Sequence, residues 1–142
     1  MLRFQYIFAI LACSFLSQAW ADDLEVRDVW IREAPPVAKS HAAYMELVNN
    51  GDTKVDIISV LADDYGMVML HKTVEKNGMT TMEHVDNLVI PPHASVRLQP
   101  GALHIMLMSP KRKLKAGDTV KITLVFDRDR RQDVLATVRA AP

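Results

Sequence analysis

The chain has 142 residues, 49% of them apolar, and 17 basic side chains balanced by 17 acidic ones. That length suits one domain with a packed interior, and the lack of a basic excess removes the electrostatic footprint of a nucleic-acid binder. Eight methionines against four phenylalanines is the one unusual ratio.

At the N-terminus Arg3 precedes an apolar run from Phe4 to Leu16, and Ala19-Trp20-Ala21 follows just before Asp22. This order predicts a secretory signal peptide over residues 1–21, cleaved after Ala21 and lying apart from the domain as a helix. The apolar run falls short of the roughly 20 residues a membrane span needs. Ile10-Leu11-Ala12-Cys13 loosely resembles the box before a lipid-modified cysteine and is a competing site, with a very short apolar segment before it. Cleavage after Ala21 removes Cys13, the single cysteine, so the exported domain, residues 22–142, has neither disulfide nor thiolate ligand. It must hold together by its core in an oxidising compartment.

Through the rest of the chain, short β-branched and apolar runs alternate with turn residues at the spacing of a β-sandwich or barrel. Strands are predicted at 24–31, 42–48, 55–61, 67–74, 79–85, 94–98, 104–108, 119–126 and 133–139, an all-β fold. Ala34-Pro35-Pro36-Val37-Ala38-Lys39 interrupts the first two with prolines that exclude a central strand. Turns are marked by Asn49-Asn50-Gly51, Asn77-Gly78, Pro91-Pro92, Pro100-Gly101 and Ala116-Gly117-Asp118. Late in the chain Val120, Ile122, Leu124 and Phe126 share one strand face, as do Val134, Ala136 and Val138.

Asn77-Gly78 stands between Met69-Thr73 and Met79-Val85, a strong hairpin signal. A two-residue loop sets His71 across from His84 and Thr73 across from Met82; a four-residue loop sets His71 across from Met82. In either register His71, Met82 and His84 share one face, because the side-chain period is two. Further on, His104, Met106 and Met108 alternate with Ile105 and Leu107, so the histidine and both thioethers point one way. If the fold joins these segments, imidazoles and thioethers converge. Thioethers select soft Cu(I), whereas zinc prefers thiolate, imidazole or carboxylate, and a blue-copper centre needs the missing cysteine.

His71, ten residues, Met82, twenty-one residues, His104, one residue and Met106 is a spacing that resembles the signature of the periplasmic PCu(A)C copper chaperones. The resemblance extends to Val29-Trp30-Ile31-Arg32 with Pro35-Pro36, Ala42-Ala43-Tyr44-Met45, Leu47-Val48-Asn49, His104 to Met108, and Leu114-Lys115-Ala116-Gly117-Asp118-Thr119-Val120. It implies a cupredoxin-like Greek-key β-barrel and one partly exposed Cu(I) on His71, Met82, His104 and Met106. It also implies a monomeric, non-enzymatic role in delivering copper to a periplasmic or membrane-anchored acceptor, such as the copper subunit of cytochrome c oxidase or its assembly factor. Ala102-Leu103 departs from the glycine and aromatic residue common before this histidine. The C-terminus at Arg139-Ala140-Ala141-Pro142 has no His- and Met-rich tail for a second copper.

His84 is the rival ligand, and Met108 reads as packing one step beyond Met106. Met67, Met69 and Met79 flank the hairpin, where packing explains methionines as readily as a copper-entry surface does. His41 and His93 fall in predicted loops and should be solvent-exposed. Lys111-Arg112-Lys113 reads as a solvated loop, with docking of an acidic partner the alternative. A copper-buffering protein with the same site but no delivery partner fits the sequence equally well.

Overall fold

The computed structural model describes residues 23–140; the predicted signal peptide, with Cys13, lies outside the described residues. Ten strands follow in order: β1 (Leu24–Arg32), β2 (Ser40–Asn49), β3 (Val55–Leu61), β4 (Tyr65–Lys76), β5 (Met79–Val85), β6 (Leu88–Ile90), β7 (Ser95–Leu98), β8 (Leu103–Pro110), β9 (Thr119–Phe126) and β10 (Arg131–Arg139). One 3-10 turn, Asp127–Asp129, is the only helical element among the described residues. The nine predicted strands are all present. The tenth, β6, has three residues between Asn87 and Pro91, too few for alternation to register.

The strands form one sheet in the order β5-β4-β8-β2-β1-β10-β9-β3-β6, with β7 paired to β2. Only β1 and β10 run parallel; every other pair is antiparallel. Because β3 also packs on β4 and β6 on β2, the two halves of the sheet face each other across the core. This is the Greek-key arrangement, with the hairpin β4–β5 at one margin of the sheet.

Period-two alternation decides what fills the interior. Val120, Ile122 and Leu124 of β9 and Ala136 and Val138 of β10 are buried, against Leu70 of β4, Ile105 and Leu107 of β8, and Ala43, Met45 and Leu47 of β2. Each of the valines, leucines, isoleucines and the methionine among them contributes on the order of 1.5–3 kcal/mol on removal from water, the alanines less. One buried polar residue ties the loops to this core. Asn49, read from the sequence as a turn residue, is fully buried. Its amide donates toward the carbonyls of Thr53, Ile90 and Pro91, and its side-chain oxygen accepts from the Gly51 amide.

Candidate metal centre

The pairing of β4 with β8 brings together what the sequence leaves 33 residues apart. Three successive rungs match Met67 with Met108, Met69 with Met106, and His71 with His104. All six side chains lie on one face, since every second residue of a strand does. Their alternates Leu70, Ile105 and Leu107 point into the core. The soft donors therefore occupy the outer face of a sheet whose inner face is sealed.

The two histidines are held with their ring centroids 5.9 Å apart and their planes at 87°. His104 is 4% exposed. Its Nδ1 lies 3.0 Å from the Ala102 carbonyl oxygen; a carbonyl can only accept, so Nδ1 carries the proton and Nε2 holds the free lone pair. That Nε2 and the Nδ1 of His71 are both buried and have no hydrogen-bond partner within the protein. An unsatisfied buried polar atom costs about 1–3 kcal/mol, so a pair on adjacent strands calls for an explanation. Burial, then the neighbouring rings of His104 and His84, push the pKa of His71 below the ordinary imidazole value. A neutral imidazole is what a metal requires of a histidine.

On the other side of β4, the hairpin takes the two-residue loop. Asn77 and Gly78 both have positive φ, 53° and 76°, the left-handed pair that a type I′ turn needs. His71 consequently faces His84, at 6.0 Å between centroids, and Met82 faces Thr73. Met82 is thus a diagonal neighbour of His71, at about 7–8 Å between Cα atoms for such a pair. It is 56% exposed on the margin strand β5. Met106 is the corresponding diagonal neighbour across β8. His84 is exposed and its Nε2 lies 3.3 Å from Asp86.

His41 differs from the expectation of a solvated loop residue. β2 starts at Ser40, two residues before the predicted strand, so His41 enters the ladder opposite Leu107 and turns inward. It is buried and hydrogen-bonded to the Tyr65 hydroxyl at 3.0 Å. Desolvation lowers its pKa and raises that of Tyr65. His93 is exposed as expected, 2.6 Å from Asp52. Lys111, Arg112 and Lys113 are exposed, but Arg112 is tied down by Asp64 at 3.1 Å and the Thr119 carbonyl at 2.7 Å. Among the described residues no three His, Cys, Asp or Glu side chains form a group able to hold a metal.

Comparison with known proteins bears on the same region. Residues 24–138 match the family model described as "Putative lipoprotein LpqE-like". A relative from Leifsonia xyli subsp. xyli, named "Putative lipoprotein Lxx21020", is 33% identical over 107 residues, 75% of this chain and 63% of its own. The chain spans about half to two thirds of the length of the curated relatives it matches. Among solved structures, the Cu(I) form of DR1885 from Deinococcus radiodurans is 35% identical with a TM-score of 0.67, covering 87% of this chain and 85% of that one. A copper-bound PCuAC domain from PmoF2 shares the fold, with a TM-score of 0.71 at 24% identity over 84% of this chain and 94% of that one.

Proposed function

Since the chain belongs to the LpqE-like family, we propose that its domain is an exported carrier of one Cu(I) ion, held by His71, His104, Met106 and Met82 and handed on to a copper-requiring acceptor. The observation that carries the reading is the pair of buried, unpartnered imidazole nitrogens on β4 and β8, flanked on both diagonals by thioethers. The kinship with the Cu(I) form of DR1885 supports it. So does donor chemistry: two imidazoles and two thioethers are neutral and soft enough for Cu(I), and they lack the thiolate or carboxylate that zinc favours.

The four ligands divide the work. His104 is locked by the Ala102 carbonyl, a support of the kind that fixes ring orientation and raises basicity in metal sites. His71 and Met106, both partly buried, complete the half-site around it. Met82, exposed on the margin strand and free to turn about three side-chain bonds, is the ligand that lets go first. An incoming thiolate enters on that open side before the imidazoles release the ion, so the copper passes without ever being free and without unfolding of the domain. No bond to carbon changes and no electron moves; the domain acts as a carrier, and catalysis has no part in the reading. The acceptor we infer is a periplasmic or membrane-anchored copper centre under assembly, such as that of cytochrome c oxidase. Export follows from the signal peptide inferred at residues 1–21, and the intact mass of the mature protein distinguishes cleavage after Ala21 from lipid attachment at Cys13.

The test is an anaerobic transfer assay. Cu(I)-loaded protein mixed with an apo acceptor carrying two thiolates should lose its copper to the acceptor while its circular dichroism stays unchanged. Retention of the ion beside a competent acceptor would leave a buffering protein in place of a delivery protein.

A further inference from the structure

The ladder of β4 and β8 holds more thioethers than one copper ion needs. Below the His71–His104 rung lie Met69 with Met106 and Met67 with Met108, each rung about 7 Å from the next along the strands. Packing does not account for them. The core is filled by the alternate residues Leu70, Ile105 and Leu107, whereas Met67 is 53% exposed and Met69 and Met108 are partly so. On the far side of β8, Met106 and Met108 face Ala42 and Ser40 of β2, small side chains that leave the surface over the methionines open.

The geometry points to a second position for Cu(I), built from Met67, Met69 and Met108, one rung from the histidine pair and continuous with it through Met106. Met67 and Met108 are a direct cross-strand pair and Met69 is diagonal to Met108, within the reach that long side chains have across a sheet. Three neutral thioethers form an all-sulfur environment that accepts Cu(I) and rejects harder ions. It lacks the imidazoles and the burial of the first position and so binds more weakly. An ion captured at the solvent end by Met67 steps up the ladder by exchange of one thioether for another, staying Cu(I) throughout, and comes to rest on His71 and His104. The inference rests on the function proposed above for its destination, but its own donors are different residues.

Methionine methyl resonances separate the two positions. The full exported protein, labelled with methyl-carbon-13 methionine, is titrated anaerobically with Cu(I). The first equivalent should move Met82 and Met106, and the second should move Met67, Met69 and Met108. In a Met67→Leu, Met69→Leu, Met108→Leu variant, which nearly conserves volume, the first equivalent should be retained and the second lost. If Met67, Met69 and Met108 stay unmoved through two equivalents, or the triple variant still takes up the second, the ladder position is overturned while the first site stands. If Met82 and Met106 fail to move with the first equivalent, the function proposed above falls, and the ladder is judged on its own three methyls.

Discussion

The two faces of β4 and β8 are made from the same two stretches of backbone, twelve and eight residues long, and behave as opposites. Inward, Leu70, Ile105 and Leu107 are aliphatic and sealed; on the other face lie the donors, with Met69, His71 and Met106 partly exposed and His104 buried among them. The sealed face fixes the register, and the register sets the donors side by side. On the proposed function, rigidity and ligand exchange are divided between two sides of one ladder, so each should be breakable without the other.

The largest effect on the frame is expected from Leu107→Ala. Truncating a fully buried leucine costs about 2–5 kcal/mol, read by chemical denaturation of the apo protein, and copper affinity should suffer only as the fold loosens. Next comes Met106→Leu on the opposite face. Nearly equal volume should hold the stability change under about 1.5 kcal/mol. Cu(I) affinity should fall at least as far as the roughly 10–100-fold that loss of a mere supporting partner costs a metal site; competition with a Cu(I) chelator measures it. A Met106→Leu protein that keeps its affinity would place the ion elsewhere.

A smaller effect separates the buried histidine of the sealed face from those of the open one. His41 has its pKa lowered below 6.5 by desolvation, so as pH falls through that value the unfolded chain takes up a proton the folded one refuses. Stability of the apo protein should therefore decline from about pH 7 toward pH 5. His41→Gln, which cannot titrate, should make that slope shallower, leaving the share of His71, whose pKa burial also lowers; an unchanged slope would assign it to His71 and other groups. Smallest of all, Arg112→Gln removes an exposed ion pair to Asp64 and should alter stability by less than about 1 kcal/mol, with Cu(I) affinity unchanged.

How much of this was legible in the sequence varies with the range of the interaction. Alternation within a strand is local, and it predicted which of Val120 to Phe126 and of His104 to Met108 would share a face. The Asn77-Gly78 turn carries its register in its own dihedral preference, so the two candidate hairpins were already few. The match of His71 with His104 is a contact between strands 33 residues apart and depends on the order β5-β4-β8, which no local pattern encodes. His41 differs from its expected loop position because Ser40 and His41 have the composition of loop residues, and only pairing with β8 extends β2 to include them. Asn49 has the composition of a turn residue, and its bond to the Thr53 carbonyl is local; its bonds to the distant carbonyls of Ile90 and Pro91 are a consequence of the fold.

The hairpin register also makes the proposed fourth ligand, Met82, the one most open to test, because it sets His84 directly across from His71 and Met82 on the diagonal. X-ray absorption at the copper edge, on protein loaded anaerobically with one equivalent of Cu(I), counts nitrogen and sulfur neighbours directly. Two of each are expected in the wild-type protein and one sulfur fewer in Met82→Leu, with His84→Gln unchanged. Three nitrogens and one sulfur, or a sulfur count indifferent to Met82, would contradict this and give the place to His84 or to another methionine of the ladder.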